Sequence, residues 1–397
     1  MPIPSFLDEL ARVFPERPFS IELWNGGGLP STTGGGPVFR VTGPDAVAHV
    51  LRAPGQLGIG RAYVSGGIEV DDLDAAMAVV GTWKPPSIDA RTKARLAVAA
   101  ARLAGPRIPR RPASEIRQRG RRHSIERDAR SVRHHYDVSN DFFRLFLDES
   151  LTYSCAIFSR GASTLEEAQE AKRELVCTKL ALRPGDRVLD VGCGWGSFAI
   201  HAAERHGANV VGITLSEPQA RLARERVAEA GLTDRIEIRV MDYRKVQDGP
   251  FDAIASIGMV EHVGAVRIDE YAQRLAALLP PGGRLLNHGI ARLRHGEPEA
   301  GPFSERFVWP DAAPLHLSRV LLALERAGFV SDHVEGFAAD YTRTLTEWIH
   351  RLDANLPEAI RLAGPERVRV WRLYLRAARN GFRSGFTSVY QVRCARA

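Results

Sequence analysis

The chain has 397 residues, more than one typical domain, and its 44% hydrophobic and 25% charged content is that of a cored protein. No apolar run approaches the roughly 18 residues of a membrane span, and the start, Met1 to Leu10, lacks the basic region and apolar core of a signal peptide. The net charge of +7 is concentrated, because residues 91–133 hold fourteen Lys or Arg and three acids, leaving the remainder net negative.

Such a segment suits phosphate groups, on nucleic acid or on a membrane, or a solvated linker. The four cysteines (Cys155, Cys177, Cys193, Cys394) show neither pairing nor metal-ligand spacing. That fits reduced thiols in a cytoplasm and argues against a zinc site.

Residues 1–84 read as a small α/β module. Glycines at 26–28 and 34–36 mark loops, 37–42 reads as a strand, and 44–52 and 71–80 read as helices. Pro85-Pro86-Ser87 breaks the pattern. Residues 85–130 combine an Ala/Arg/Leu helix with a Pro/Arg-rich stretch at 105–112, and are expected to form a basic linker. From 131 to 397 strands and helices alternate. Strands are expected at 187–191, 208–214, 235–241, 251–257 and 283–290, with helices at 197–206, 217–230 and 268–279. Two late strands, 329–336 and 386–394, enclose a helical stretch at 342–380. This alternation predicts an α/β fold with a doubly wound parallel sheet.

The segment from Val188 to Ser197 carries the most chemistry. An apolar strand ends in Asp190, then Gly192, Cys193, Gly194, Trp195 and Gly196 form a turn before an apolar helix. Glycines let the backbone lie against a ligand, and the helix N-terminus aims free N–H groups at it. A dinucleotide site has an acid at the second strand's tip and G-x-G-x-x-G spacing. Here the second strand ends Gly212-Ile-Thr-Leu-Ser216, and the spacing is G-x-G-x-G. The third ends in Met241-Asp242-Tyr243, where Asp242 suits the exocyclic amine of adenine and an aromatic suits its ring. Together these features resemble class I methyltransferases, whose methyl donor is S-adenosylmethionine, and whose Rossmann-like fold carries a seven-stranded sheet.

Four further stretches narrow the resemblance: 134–148 (His-His-Tyr-Asp-Val-Ser-Asn-Asp-Phe-Phe and on), 152–158 (Thr-Tyr-Ser-Cys-Ala-Ile-Phe), 212–219 and 256–264 (Ser-Ile-Gly-Met-Val-Glu-His-Val-Gly). In this order they resemble the cyclopropane-fatty-acyl-phospholipid synthase family, which includes mycolic acid cyclopropane synthases and actinobacterial fatty-acid methyltransferases. The resemblance is strongest over 130–394. It extends to 57–66, which is similar to the longer bacterial synthases and makes 1–84 an accessory, lipid-binding domain.

The resemblance implies methyl transfer to the cis double bond of an acyl chain, through a carbocation that must be kept from water. It implies bicarbonate as the base, held by His288, Tyr341 and backbone groups at Cys155 and Ile290, with Glu261 accepting the hydroxyl hydrogen. By the same carry-over Tyr153, Ser154, residues 189–197, Thr214, Leu215, Gln219, Asp242 and Tyr243 contact S-adenosylmethionine, Gln219 at the ribose. His135, Tyr136 and the Phe142/Phe143/Phe146 face form a lid over cofactor and acyl chain. The family's C-terminal-helix cysteine is matched by Ala377, which favours the bicarbonate site over a cysteine nucleophile. Phe307-Val-Trp-Pro310 departs from the family's Tyr-Ile-Phe-Pro, with an effect expected on packing alone.

The expected partners are unsaturated phospholipid acyl chains and, through segment 91–133, the anionic inner face of a membrane, in a cytoplasmic protein. Members of the family often dimerise, so a homodimer is compatible with the resemblance. Nucleic acid is not an expected partner, since the loop after the fourth strand lacks Asn/Asp-Pro-Pro-Tyr. The alternatives are a methylene- or methyl-branched product from the same cation, or a non-catalytic lipid-binding module.

Overall fold

The computed structural model describes residues 3–136, 138–293, 301–312 and 314–397. Asp137, within the 134–148 motif, lies outside them. The chain divides into two compact units.

The first unit comprises the chain through Arg117 with Gly301–Val308 and Gly364–Asn380. Its four-stranded sheet runs, edge to edge, Gly28–Leu29, Ser20–Leu23, Val38–Val41 and Ile68–Val70. Helix Ala90–Ala104 packs here: Ala100, Leu103 and Ala104 join Leu23, Val47 and Ala48 in one apolar cluster. The unit boundary therefore differs from the expected linker. The Ala/Leu positions recur at helical spacing, and burying them against Val47 outweighs the exposed arginines on the opposite face. Buried Arg61 makes a two-pronged bond to Glu115, at 2.8 and 2.6 Å, fixing the end of the Pro/Arg-rich stretch.

The second unit comprises Gln118–Ala300, Trp309–Ala363 and Gly381–Ala397. Its strands are β1 (Arg187–Val191), β2 (Asn209–Thr214), β3 (Ile236–Val240), β4 (Ala253–Ile257), β5 (Arg284–Arg292), β6 (Phe329–Gly336) and β7 (Thr387–Arg396). They form one seven-stranded sheet in the order β6-β7-β5-β4-β1-β2-β3. β7 runs antiparallel to β5 and β6; the other pairs are parallel. Around it lie α1 (Ile125–Tyr136), α2 (Asn140–Arg144), α3 (Leu165–Lys179), α4 (Ser197–His206), α5 (Glu217–Glu229), α6 (Val260–Val263), α7 (Ile268–Ala277), α8 (Leu317–Arg326) and α9 (Ala338–Ala354).

The central strands are apolar on both faces because both are covered. Leu189, Val191, Ile254 and Leu285 join the core on one side, and Val188, Ala253, Ala255 and Leu286 the core on the other. The helices start where capping side chains sit. Thr164 and Glu167 form a reciprocal box at α3, and Ser216 accepts from the Gln219 amide at α5. Strand order reverses between β1 and β4, so the crevice outside their carboxyl ends is where such sheets bind ligands.

Candidate active site

The glycine turn after β1 is tied to β2, since the amides of Gly192 and Cys193 both donate to the Ile213 carbonyl, at 3.0 and 2.9 Å. Gly192 and Gly196 hold φ of 82° and 81°, a region side chains resist, and Gly196 caps α4. The turn walls a pocket that gathers most of the expected cofactor residues. Tyr136, Tyr153, Ser154, Asp190, Gly192, Cys193, Gly194 and Trp195 line it, as do Thr214, Leu215, Gln219, Asp242 and Tyr243; Gly196 is not in its lining.

Buried Asp190 leaves Oδ2 without a hydrogen-bond partner among the described residues. Burial pushes its carboxyl up to about 7, against the nearby Lys172 charge. An acceptor orphaned beside a glycine turn fits a ligand ammonium such as that of a methionyl group. Gln219 Oε1 accepts from the Thr214 hydroxyl at 2.8 Å, which leaves the Gln219 amide as the donor. Asp242 is less free than expected. Oδ1 accepts from the backbone N and Nε of Arg244, at 2.9 and 2.8 Å, and Oδ2 from its Nη2 at 2.7 Å. The spare capacity on Oδ2 is what remains for an adenine amine.

The expected catalytic residues form a second cluster, built by β5, β7, α6 and α9. His288 and Ile290, two apart on β5, face the same side. The Ile290 amide donates to Glu261 Oε1 at 2.9 Å, so Glu261 engages the N–H that the resemblance offers to an anion. Val389 pairs with Ile290 across the β5/β7 ladder, and its carbonyl accepts from the Phe337 amide at 2.9 Å. The Phe337 carbonyl takes the Tyr341 amide at 3.0 Å and lies 3.8 Å from Cys155 Sγ. This backbone relay brings Cys155 and Tyr341 to the end of β5. Burial pushes the Cys155 thiol far up, leaving it a poor nucleophile.

Two buried atoms in this cluster have no partner among the described residues: Glu261 Oε2 and His288 Nε2. Burial pushes Glu261 up to about 7. Burial, aided by the Lys172 and Lys179 charges, pushes His288 down to about 3, so its ring is neutral. Gly289 lets α6 approach this closely, because a Cβ there would collide with Val260 Cγ1.

An aromatic wall adjoins the pocket, whose lining includes Tyr136, Tyr153, Trp195 and His262. His135 stacks on Trp309 with centroids 3.4 Å apart, and His262 lies 4.7 Å from the same indole. Tyr153 stacks on Trp348 at 5.1 Å, and Phe143 lies 5.0 Å from Trp195. Phe142, Phe143 and Phe146 are fully buried, a packed wall. Trp309, expected to matter for packing alone, is part of this wall.

Several site residues escaped the sequence reading. Lys172 donates to Ser154 Oγ at 2.9 Å, while Gln169 holds the Thr152 and Ser154 carbonyls at 3.2 and 2.9 Å. Burial pushes Lys172 down to about 7. Arg226 clasps the carbonyls of Trp195 and Ser150, at 2.7 and 2.8 Å. A signal existed for the lysines. Leu165, Ala168, Lys172, Val176 and Lys179 recur at helical spacing, placing two cations on an apolar stripe.

The strand order, the glycine turn with its orphaned acid and the acid-free tip of β2 define a class I methyltransferase dependent on S-adenosylmethionine. The family model described as mycolic acid cyclopropane synthetase matches residues 123–392, and the chain belongs to this family. It is 41% identical over 277 residues to a probable fatty acid methyltransferase of Pseudomonas putida, covering 68% of this chain and 70% of that one. It is 33% identical over 354 residues to the cyclopropane-fatty-acyl-phospholipid synthase of Escherichia coli K12, covering 89% and 86%. Among solved structures, a mycolic acid cyclopropane synthase in complex with SAH and CTAB superposes with a TM-score of 0.64 at 36% identity, over 68% of this chain and 98% of that one. The chain is an enzyme of the cyclopropane synthase type.

Proposed function

We propose that this enzyme methylates the cis double bond of unsaturated acyl chains in membrane phospholipids and closes a cyclopropane ring, with bicarbonate as base. The observation that carries this reading is the pair of orphaned buried atoms, an acceptor on Glu261 and a donor on His288. Together they complement a small oxyanion that also bears a hydroxyl. Glu261 Oε2 would accept that hydroxyl hydrogen; His288 Nε2–H and the Tyr341 hydroxyl would donate to the remaining oxygens. When bound, S-adenosylmethionine would supply an electrophilic methyl group, and bicarbonate would supply the base.

The chain's own residues position and shield. Asp190, Ser154 and Gln219 offer an acceptor, a hydroxyl and an amide donor to the methyl donor. Lys172 and Gln169 fix Ser154 from behind. The aromatic wall excludes water and turns π-faces toward a developing cation, worth about 0.5–2 kcal/mol for each well-placed ring.

Access to lipid has its own support. Arg107, Arg110 and Arg111 are exposed in the Pro/Arg-rich stretch, and Ile108 between them is 79% exposed. Basic side chains beside a protruding apolar one suit an anionic bilayer surface. Among the described residues no helix is long and apolar enough to cross a membrane.

The similarity to a probable fatty acid methyltransferase supports methyl transfer to an acyl chain, and the same cation can also give a branched product, such as a methylene branch. Ring and branch are isomers that differ in the proton lost. Expression in a bacterium lacking its own synthase, followed by fatty-acid analysis and proton NMR, separates them. Cyclopropane protons support the ring, vinylidene protons the branch, and unaltered lipid defeats both.

A further inference from the structure

Behind the cofactor turn, α3 packs on α4 and gathers four donor side chains that methyl transfer does not use. Glu174 and Cys177 lie three apart on α3, on one face. His201 comes from α4, and His206 is its last residue, where Gly207 turns the chain at φ 65°. Nε2 of His201 and Nε2 of His206 lie 3.1 and 3.0 Å from a single oxygen, Glu174 Oε2. Cys177 Sγ and a ring nitrogen of each histidine all lie within 4.8 Å of one another. Cys177 and His201 are buried; the His206 and Glu174 side chains are 20% and 49% exposed.

We infer that Cys177, His201, His206 and Glu174 form a binding site for a divalent transition metal ion, with Zn²⁺ the best match. One thiol, two imidazoles and a carboxylate make a four-donor set of the kind tetrahedral zinc takes. The sulfur disfavours Mg²⁺ and Ca²⁺, which require oxygen donors. The half-exposed Glu174 and partly exposed His206 give an entry path, and Glu174, already bonded to both histidines, would turn onto the ion as the fourth donor. Cysteine spacing could not reveal this set, because three of its four donors are not cysteine and two come from another helix.

The ion would clamp α3 to α4. α3 carries Lys172 and Gln169, which hold Ser154, and α4 starts at the cofactor turn. The clamp therefore braces the methyl-donor pocket from outside and takes no part in the chemistry.

The test uses untagged full-length protein, stripped with chelator and titrated with ZnCl₂ against a chromophoric competitor. The expected result is about one tightly held Zn²⁺ per chain, which raises the melting temperature in the absence of methyl donor. Cys177→Ser and His206→Ala should weaken binding by more than about 100-fold, while Cys394→Ser should not. Binding of S-adenosylhomocysteine reports that each variant is folded. Co²⁺ added to the unaltered protein gives an arm that needs no variant: a thiolate charge-transfer band with tetrahedral visible bands is expected, and disappears in Cys177→Ser. Absence of that band in the unaltered protein, or zinc binding that survives Cys177→Ser with His206→Ala, overturns the proposal.

Discussion

Gln391 donates its side-chain amide to His288 Nδ1 at 3.1 Å, directly across the β5/β7 ladder. The orientation of that amide is not free. Lys179 Nζ, a donor only, sits 2.7 Å from Gln391 Oε1, so the opposite end of the amide must be NH₂. Nδ1 is therefore an acceptor, and the neutral ring carries its hydrogen on Nε2, the atom without a partner among the described residues. Lys179 in turn pairs with Glu335 at 2.6 Å. A lysine on α3 thus decides which nitrogen of a β5 histidine can donate to an anion.

Gln391→Glu should break this relay. The new carboxylate keeps Lys179 but calls for a hydrogen on Nδ1, which turns Nε2 into an acceptor. We expect kcat to fall about 10–100-fold, with S-adenosylhomocysteine affinity within about threefold of the unaltered enzyme. Steady-state methyl transfer beside calorimetry checks the split; equal loss of binding and turnover would show that Gln391 merely supports the fold.

Glu261 gives a pH dependence. Its carboxylate is much the stronger acceptor of a hydroxyl hydrogen, and burial raises its pKa to about 7, so kcat/KM should climb with pH through about 7 and then level. Glu261→Gln should be nearly inactive and lack that rise. Stability should run the opposite way. The unfolded carboxyl loses its proton near 4.5 and the folded one near 7, so the unaltered protein loses up to about 3 kcal/mol relative to Glu261→Gln as pH rises between those values. Melting curves from pH 4.5 to 8 test the sign.

Gly289→Ala should be costly because its Cβ would meet Val260 Cγ1. A loss of about 1–3 kcal/mol in stability is expected, with lower turnover as α6 and Glu261 are pushed from β5. Adding Val260→Ala removes the colliding methyl and should restore part of both. Additive effects in the double variant would show that this contact is not the reason for the glycine.

The exposed arginines of the first unit bear on lipid access. Arg107→Ala with Arg110→Ala and Arg111→Ala should lower co-sedimentation with anionic vesicles, each cation contributing about 1 kcal/mol at most. Turnover of a dispersed, detergent-solubilised lipid should change little. Unaltered sedimentation would remove this stretch from membrane attachment.

Several of these features were open to reading along the chain. The glycine turn, the acid-free tip of β2 and Asp242 are local patterns, and local patterns fix a strand-turn-helix unit and the type of ligand it cradles. The stretch at 90–104 was not open in this way. Its arginines and alanines resemble a solvated linker until Leu23 and Val47 supply the apolar surface that Ala100 and Leu103 bury. Lys172 and Lys179 read as surface charges unless their place on the stripe of α3 is noticed.

The sequence by itself determined the sheet, the methyl-donor turn and the family, because each is written in short contiguous motifs. Tertiary structure decided the protonation and direction of the site's polar groups. His288 donates through Nε2 because Gln391, 103 residues away, and Lys179, 212 residues from Gln391, are brought to it. Glu261 holds the Ile290 amide because Gly289 lets α6 close on β5. Cys177 and Glu174 meet two histidines because α3 packs on α4. Hydrogen-bond direction, burial and donor convergence depend on distances in space, and no spacing along a chain encodes them.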